Sequence, residues 1–173
     1  MAPMTAELTP VQREFRAAMA NLSAGVNVVT TDGAHGRAGT TVSAVCSVTD
    51  TPPTMLVCIN KSATAHDSFF ANGRIAINVL ANEQKEVALV FANATGVPRE
   101  QRFADPRWDV DTHDIPVLTG AAANLLGRIQ SISPQGSHSV AFVEIETVIT
   151  NAQAGGLVYF QRGFHGIGAT IES

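Results

Sequence analysis

The segment TTVSAVCSVTDTPP, residues 40–53, is rich in side chains that form hydrogen bonds without carrying a charge. If it forms one strand, its side chains alternate between two faces. The odd positions are mostly hydroxyls and the even positions are apolar: Thr41, Ser43, Val45, Ser47 and Thr49 against Val42, Ala44, Cys46 and Val48. Two interpretations stay open. The hydroxyls either form the solvent-exposed face of a half-exposed strand or bind a polar, flat or phosphorylated ligand.

Several familiar catalytic patterns are missing from the sequence. The glycine-rich stretch 32–39, DGAHGRAG, lacks the spacing of a phosphate-binding loop and predicts a flexible hairpin loop. No serine lies in a G-x-S-x-G motif. The five histidines lack the spacing of metal ligands, so no metal site is predicted. His138 stands out because it follows a turn at Gly136 and Ser137, and a surface role and a ligand-binding role are equally open.

The two cysteines, Cys46 and Cys58, fall opposite each other on one face if Pro52 lies near the apex of a hairpin. A disulfide is geometrically possible. We predict instead that both are reduced and act as small core residues, as is usual for cysteines in the cytosol.

Composition limits the class of protein. The 173 residues are 45% hydrophobic and 15% charged, which predicts one domain spanning 1–173, with residues 1–8 flexible, and a surface that needs a partner subunit. The net charge of −4, without a Lys/Arg cluster, predicts no binding to nucleic acid. The N-terminal sequence lacks the features of a signal peptide and no apolar run is long enough to span a membrane, so we predict a cytoplasmic protein without membrane association.

The secondary structure that must position these residues is mainly β. A capping box at Thr9 begins a helix with an apolar stripe that packs on a larger body. A three-stranded meander follows, and its last strand, TMLVCIN, is predicted to be buried on both faces. Two more helices are predicted, one closed by Gly73 and one capped by Asn82. The long loop 93–116 is predicted to be functional or mobile, and roughly seven strands in all indicate a closed antiparallel barrel with added helices.

Such a barrel offers no activated nucleophile, metal site or paired carboxylates. This inventory suits an enzyme whose chemistry is carried by a bound cofactor.

Five segments resemble the short-chain flavin reductases: FRAAMANLSAGVNVVTT, TTVSAVCSVTDTPPTMLVCINKSA, INVL, GSHSVAFVEIETV and GLVYFQRGFH. More narrowly, they resemble the reductase components of two-component flavin monooxygenases, such as that of 4-hydroxyphenylacetate 3-monooxygenase. The most specific part is the block from SAVCSVTDTPP to CIN.

The resemblance implies a split β-barrel, antiparallel and Greek-key-like, that forms a homodimer and binds FMN or FAD. It implies hydride transfer from NADH or NADPH to the flavin, and release of reduced flavin to a flavin-dependent monooxygenase of aromatic catabolism. Two alternatives remain. One is a flavin-binding barrel that stores or senses flavin without turnover. The other is an oxidase of the pyridoxamine-phosphate type, disfavoured because no Arg/Lys cluster is present for a substrate phosphate.

The resemblance also implies roles for individual residues. His138 helps to place the nicotinamide and is the candidate catalytic residue. The implied cofactor-binding residues are Asn27, Thr41, Val42, Ser43, Ala44, Asn60, Lys61, Ser62, Ala63, His138, Arg162 and Phe164. Ser137, where the family commonly has Thr or Asp, and Gly163 depart from the family pattern and leave the choice between NADH and NADPH open.

Overall fold

The computed structural model of the chain describes residues 7–168. The predicted flexible segment 1–8 therefore lies outside the described residues at positions 1–6. The helices are α1 (Pro10–Met19), α2 (His66–Asn72), α3 (Lys85–Phe91) and a 3₁₀ turn (Arg99–Gln101). The strands are β1 (Ala24–Gly25), β2 (Asn27–Thr31), β3 (Ala38–Val42), β4 (Val45–Asp50), β5 (Pro53–Asn60), β6 (Arg74–Val79), β7 (Trp108–Val110), β8 (Pro116–Leu118), β9 (Ala123–Gln135), β10 (His138–Thr150), β11 (Gly156–Phe160) and β12 (Gly163–Ile167).

Seven strands form one antiparallel sheet in the order β3-β2-β6-β9-β10-β5-β4. Its two edge strands, β3 and β4, are consecutive in the chain and are joined only by Ser43 and Ala44. The sheet must therefore curl until its edges meet at this link, yet no ladder pairs β3 with β4 among the described residues. The predicted antiparallel barrel is therefore closed by the chain link at Ser43 and Ala44 and not by strand pairing between its edges. The mainly β, split-barrel fold with added helices is confirmed.

Three apolar clusters of buried side chains lie within the described residues, and two of them hold the helices against the barrel. The larger fills the inside of the curled sheet and is covered at one end by α2, and it includes Val29, Val57, Phe69, Ile77 and Val143. The second lies between the sheet and α3, and it includes Val28, Leu80, Val87, Phe91 and Leu118. Burial of these side chains fixes α3 against β2 and β3, where the link between the edges begins.

The three helices match the predictions unevenly. The capping box is confirmed, because Thr9 Oγ1 accepts from the Gln12 N–H at 3.3 Å and Gln12 Oε1 accepts from the Thr9 N–H at 2.8 Å. No residue of α1 is buried in the chain, so the predicted packing of its stripe on a larger body is not made within it. Gly73 closes α2 with φ of +74°, as predicted. The predicted cap at Asn82 is wrong: α3 begins at Lys85, after Gln84.

The strand patterns were partly misleading. The hydroxyl-rich segment is two strands, and its predicted apolar face is exposed at Cys46 and Val48. Burial on both faces of TMLVCIN is wrong as well, because only Val57 and Ile59 are buried there. In the β4–β5 ladder Cys46 pairs with Leu56, so Cys58 lies two residues further along β5 and not opposite Cys46. Both cysteines are free, as predicted, but Cys46 is exposed and is not a core residue.

The loop 93–116 is partly structured and packs on α3. The rings of Phe103 and Trp108 meet Phe91 edge to face, with centroids 5.0 and 5.3 Å away. This aromatic cluster supports the outer side of the helix that covers β3.

Candidate functional site

Three cavities meet at Ser43, the residue at which the two edges of the sheet join. We name them by their walls. The hydroxyl cavity, of about 270 Å³, is lined by Thr40, Thr41, Val42, Ser43, Ala44, Cys58, Asn60, Ala63 and His138. The aromatic cavity, of about 310 Å³, is lined by Val26, Thr41, Ser43, Leu89, Ala92, Tyr159 and Phe164. The arginine cavity, of about 430 Å³, is lined by Arg16, Met19, Ala20, Leu22, Ala24, Ser43, Ala44, Tyr159 and Arg162.

One wall of the hydroxyl cavity is the end of the β5–β10 ladder, where His138 pairs directly with Asn60. Lys61 ties this end to the β9–β10 turn: its N–H donates to the Ser137 carbonyl at 2.9 Å and its Nζ donates to the Gly136 carbonyl at 2.8 Å. The ammonium group therefore bonds a backbone carbonyl of the turn, which partly occupies its hydrogen-bonding capacity.

The turn after β5 is organised by the side chain of Asn60. Its Oδ1 accepts from both the N–H and the hydroxyl of Ser62, each at 2.9 Å. The N–H of Ala63 donates to the Asn60 carbonyl at 3.0 Å. This leaves the Asn60 Nδ2 group as a donor at the cavity wall.

The opposite wall is the end of β3, which is held from two sides. The Thr41 hydroxyl donates to the Ala88 carbonyl of α3 at 2.6 Å, so its remaining capacity is as an acceptor. Asn27 is buried beneath the wall, where its Nδ2 donates to the Val42 carbonyl at 3.1 Å. Asn27 thus positions the backbone of the wall from the core side of the sheet.

Cys58 adds a neutral group to the hydroxyl cavity. Burial raises the pKa of its thiol above the usual value, and the neighbouring Cys46 raises it further. A thiol with a raised pKa stays protonated at neutral pH. The wall therefore carries hydroxyls, an amide, a thiol, the His138 imidazole and small apolar groups, and none of its described lining residues carries a carboxylate, ammonium or guanidinium group, which suits a flat polar ring.

The other two cavities are shaped by the β11–β12 hairpin. Tyr159 and Phe164 pack edge to face across it, with ring centroids 5.1 Å apart. Its turn contains Gln161 and Arg162 at φ of +48° and +61°, a conformation that is uncommon for residues other than glycine. The Gln161 N–H donates to the Ala20 carbonyl at 2.7 Å, which fixes the hairpin to the end of α1.

This attachment places two arginines on the lining of one cavity, Arg16 from α1 and Arg162 from the turn. Arginine is well suited to binding phosphate, because it is planar, always charged and offers several donors. The neutral hydroxyl cavity and the cationic arginine cavity, joined at Ser43 and Ala44, together fit a ring that carries a phosphorylated tail.

The structure brings most of the predicted site residues together. Seven of them line the hydroxyl cavity: Thr41, Val42, Ser43, Ala44, Asn60, Ala63 and His138. Lys61 and Ser62 lie in the adjoining turn, Arg162 and Phe164 line the two other cavities, and Asn27 lies beneath the wall. That these residues bind a cofactor stays a prediction.

Among the cavity residues that the sequence analysis does not identify, three carry ionisable groups. Arg16 is a basic residue in the last turn of α1, a position that is common for basic residues in helices and gives no signal of a binding site. Tyr159 is the single tyrosine of the chain, which was a usable signal. Cys58 was assigned to the core, because a two-residue period does not tell which face of a strand borders a cavity.

Within residues 7–168, no group of three His, Cys, Asp or Glu side chains is arranged to hold a metal ion. The helices in this range are also too short or too polar to cross a membrane.

A family model described as "Flavin reductase like domain" matches residues 19–168. The chain belongs to the flavin reductase family. The 4-hydroxyphenylacetate 3-monooxygenase reductase component of Pseudomonas aeruginosa is 51% identical over 159 residues, which are 92% of this chain and 94% of the relative. The FMN reductase (NADH) of Stutzerimonas stutzeri is 43% identical over 162 residues, 93% of this chain and 92% of the relative.

A solved structure extends this likeness to the fold. The NADH:FAD oxidoreductase of Streptomyces globisporus, in complex with NAD and FAD fragments, superposes with a TM-score of 0.85 at 27% identity, covering 96% of this chain and 100% of that one. The flavin reductase resemblance inferred from the five segments is therefore confirmed at the level of family and fold.

Proposed function

We propose that this protein is an NAD(P)H:flavin oxidoreductase that reduces FMN or FAD and supplies free reduced flavin to a partner monooxygenase. The observation that carries the proposal is the junction of a neutral, hydroxyl-lined cavity with a two-arginine cavity at Ser43 and Ala44, in a chain of the flavin reductase family. A bound flavin supplies the ring atom that accepts a hydride from the nicotinamide.

The residues of the chain bind and orient the reactants, because hydride transfer depends on placement more than on an acid or base. In the hydroxyl cavity, the Ser43 hydroxyl and the Asn60 amide would hydrogen-bond polar edges of the flavin ring. In the arginine cavity, Arg16 and Arg162 would bind the phosphate. His138, on the β10 side of the hydroxyl cavity, would orient the nicotinamide, and Tyr159 and Phe164 of the aromatic cavity would exclude water.

Two features support delivery of reduced flavin to a second protein. Ser43, which lines all three cavities, is exposed in the single chain, in keeping with a flavin that enters and leaves from the surface. Several relatives are named as reductase components of 4-hydroxyphenylacetate 3-monooxygenase, at 43–51% identity. We therefore propose a flavin-dependent monooxygenase that hydroxylates an aromatic substrate as the partner.

The names of two relatives bear on which flavin and which nicotinamide nucleotide the protein uses. One relative is named as an FMN reductase that uses NADH, and a solved neighbour as an NADH:FAD oxidoreductase. We propose NADH as the preferred donor, ahead of NADPH, and both FMN and FAD as acceptable flavins. The arginine cavity can bind the phosphate of either flavin.

We also propose that the protein is a cytoplasmic homodimer. The apolar stripe of α1 is exposed in the single chain at Val11, Phe15 and Met19, and it continues at Leu22 just beyond the helix. Burial of such a stripe is the usual reason for its presence. The free state of both cysteines is in keeping with a reducing compartment. Sedimentation velocity tests the assembly, and a stable active monomer at micromolar concentration contradicts it.

The central test measures binding and turnover with the same preparation. Fluorescence titration with FMN and FAD gives the flavin affinity, and absorbance at 340 nm then follows oxidation of NADH and NADPH with each flavin. We expect NADH oxidation that depends on added flavin. Tight flavin binding without NADH oxidation would instead support the storage or sensing alternative.

A further inference from the structure

His66, the first residue of α2, lies behind the wall of the hydroxyl cavity and contacts two of its parts. Its backbone N–H donates to the carbonyl of Ala63, in the turn after β5, at 2.9 Å. Its ring nitrogen Nε2 lies 3.0 Å from the Oγ atom of Ser139 on β10. Neighbouring residues of a strand point to opposite faces, so Ser139 points away from the cavity that His138 lines. His66 therefore holds the first residues of β10 from the interior.

The hydrogen bonds of His66 form an ordered chain. Nδ1 lies 2.7 Å from the Asp67 carboxylate, which accepts, so Nδ1 carries a proton. In the neutral ring Nε2 is then an acceptor, and the Ser139 hydroxyl donates to it. The Phe70 ring, with its centroid 4.7 Å from that of His66, restricts the orientation of the imidazole.

The same order of groups, serine to imidazole to carboxylate, occurs in hydrolases, but the surroundings here differ. Ser139 is only 5% exposed, which leaves no room for an acyl substrate at its hydroxyl. The Asp67 side chain is fully exposed, so solvent screens its charge. The arrangement suits a structural clamp and not a nucleophile.

We propose that His66 is a positioning residue of the reductase, which fixes the end of β10 that carries His138 relative to the turn that carries Asn60 and Ala63. The kinetic part of this inference rests on the proposed function. Lys61 holds the β9–β10 turn from outside, and His66 is the matching contact from inside. A displacement of about 1 Å at a hydride-transfer site can lower the rate by up to two orders of magnitude.

A double-mutant cycle distinguishes two roles of His66. It either positions the end of β10 or only provides a hydrogen-bond partner for the buried Ser139 hydroxyl. His66→Phe keeps an aromatic ring beside Phe70 but leaves the Ser139 hydroxyl buried without its partner, and Ser139→Ala removes that hydroxyl. We expect each single variant and the double variant to show the same loss, about tenfold in kcat/KM for NADH and mainly through KM, since each removes one shared contact. Flavin affinity should stay within about twofold of wild type.

Thermal stability should behave differently from kinetics. His66→Phe lowers the melting temperature, and the double variant recovers much of that loss because no buried hydroxyl is left unpaired. If the double variant also regains wild-type kcat/KM, His66 serves only to satisfy Ser139 and the proposal is overturned. His113→Phe is the matched control, because His113 also lies beside an aspartate, with Nδ1 3.3 Å from Asp111 Oδ2, but belongs to the turn before β8.

Hydrogen exchange gives a readout that does not depend on activity. We expect His66→Phe to speed amide exchange in segments 61–63 and 137–139 and to leave β6 unchanged. Unchanged exchange in both segments overturns the positioning role even in an active enzyme. A wild-type protein that fails to oxidise NADH with flavin instead contradicts the proposed function, while the exchange result still decides whether His66 couples the two segments.

Discussion

The Thr41 hydroxyl donates a 2.6 Å hydrogen bond to the Ala88 carbonyl, and this contact joins the edge strand β3 to α3. The same carbonyl accepts the helical hydrogen bond from the Ala92 N–H at 3.0 Å. Because Thr41 lines both the hydroxyl cavity and the aromatic cavity, the position of α3 sets the shape of the wall between them.

Close approach of α3 to β3 depends on Gly39. A Cβ atom at this position would lie 2.6 Å from the Phe91 ring, which is itself packed against Phe103. We expect Gly39→Ala to lower the free energy of unfolding by about 1–3 kcal/mol, the usual effect of overpacking, and to weaken flavin binding by moving α3. Denaturant unfolding and flavin titration check the two effects. Gly25→Ala is the control, because a Cβ there meets nothing within 4 Å.

Ser43 is predicted to contact the flavin directly, because all three cavities share it. Ser43→Ala should weaken flavin binding by about 1–2 kcal/mol, the scale of one lost hydrogen bond to a ligand, without changing the melting temperature of the flavin-free protein. Ser47→Ala, an exposed hydroxyl further along β4, should leave the affinity unchanged. If wild type and Ser43→Ala bind flavin with equal affinity, the Ser43 hydroxyl does not contact the flavin and is only an exposed surface group.

Cys58 offers a chemical probe of the hydroxyl cavity. Burial and then Cys46 raise the pKa of its thiol, so the reactive thiolate is scarce near neutral pH and becomes abundant only at higher pH than for an ordinary thiol. We expect slow alkylation by iodoacetamide at pH 7, acceleration as the pH rises through the alkaline range, and protection by saturating flavin. Peptide mass spectrometry resolves Cys58 from Cys46, which is exposed and serves as the internal control. Alkylation of Cys58 at the same rate with and without flavin would place the flavin elsewhere.

The sequence patterns predicted local features better than closure of the barrel. The capping box at Thr9 and the stop at Gly73 depend on neighbours within a few residues, and both are confirmed. The break at Ser43 and Ala44 arises because the sheet curls until its edges meet, and a two-residue period cannot register a contact between edges. The two-residue period also places Val48 on an apolar face, but Val48 is exposed on the edge strand β4.

In the candidate site too, the residues that are close together in the sequence could be predicted and those that are brought in from distant segments could not. The hydroxyls of β3 and the Asn60 turn are contiguous in sequence, so the motif that carries the family resemblance also carries them. Arg16 reaches the site because Gln161 ties the end of α1 to the β11–β12 turn: its N–H donates to the Ala20 carbonyl and its side chain to Asn21, which is 140 residues away in the chain. No local pattern encodes that distance.

His138 is predicted to orient the nicotinamide and not to transfer a proton, because the hydride passes directly between two rings. Its place is well defined: it is the first residue of β10, pairs with Asn60, and its Nδ1 lies 2.9 Å from the Ser137 hydroxyl. His138→Asn keeps a hydrogen-bonding side chain of smaller reach. We therefore expect a higher KM for NADH and a loss of about tenfold in kcat/KM, with flavin affinity near that of wild type.

Steady-state kinetics across pH 6 to 9, with wild type, His138→Asn and the distant control His113→Asn, separates the two roles of His138. An orienting residue gives parallel pH profiles, with the variant displaced to lower kcat/KM at every pH and kcat largely retained at saturating NADH. An acid or base gives a wild-type profile with a limb that the variant lacks, together with loss of most of kcat at saturating NADH. The second outcome would contradict the orienting role. It would mean that His138 transfers a proton, so that a protein side chain takes part in the reaction beside the two cofactor rings.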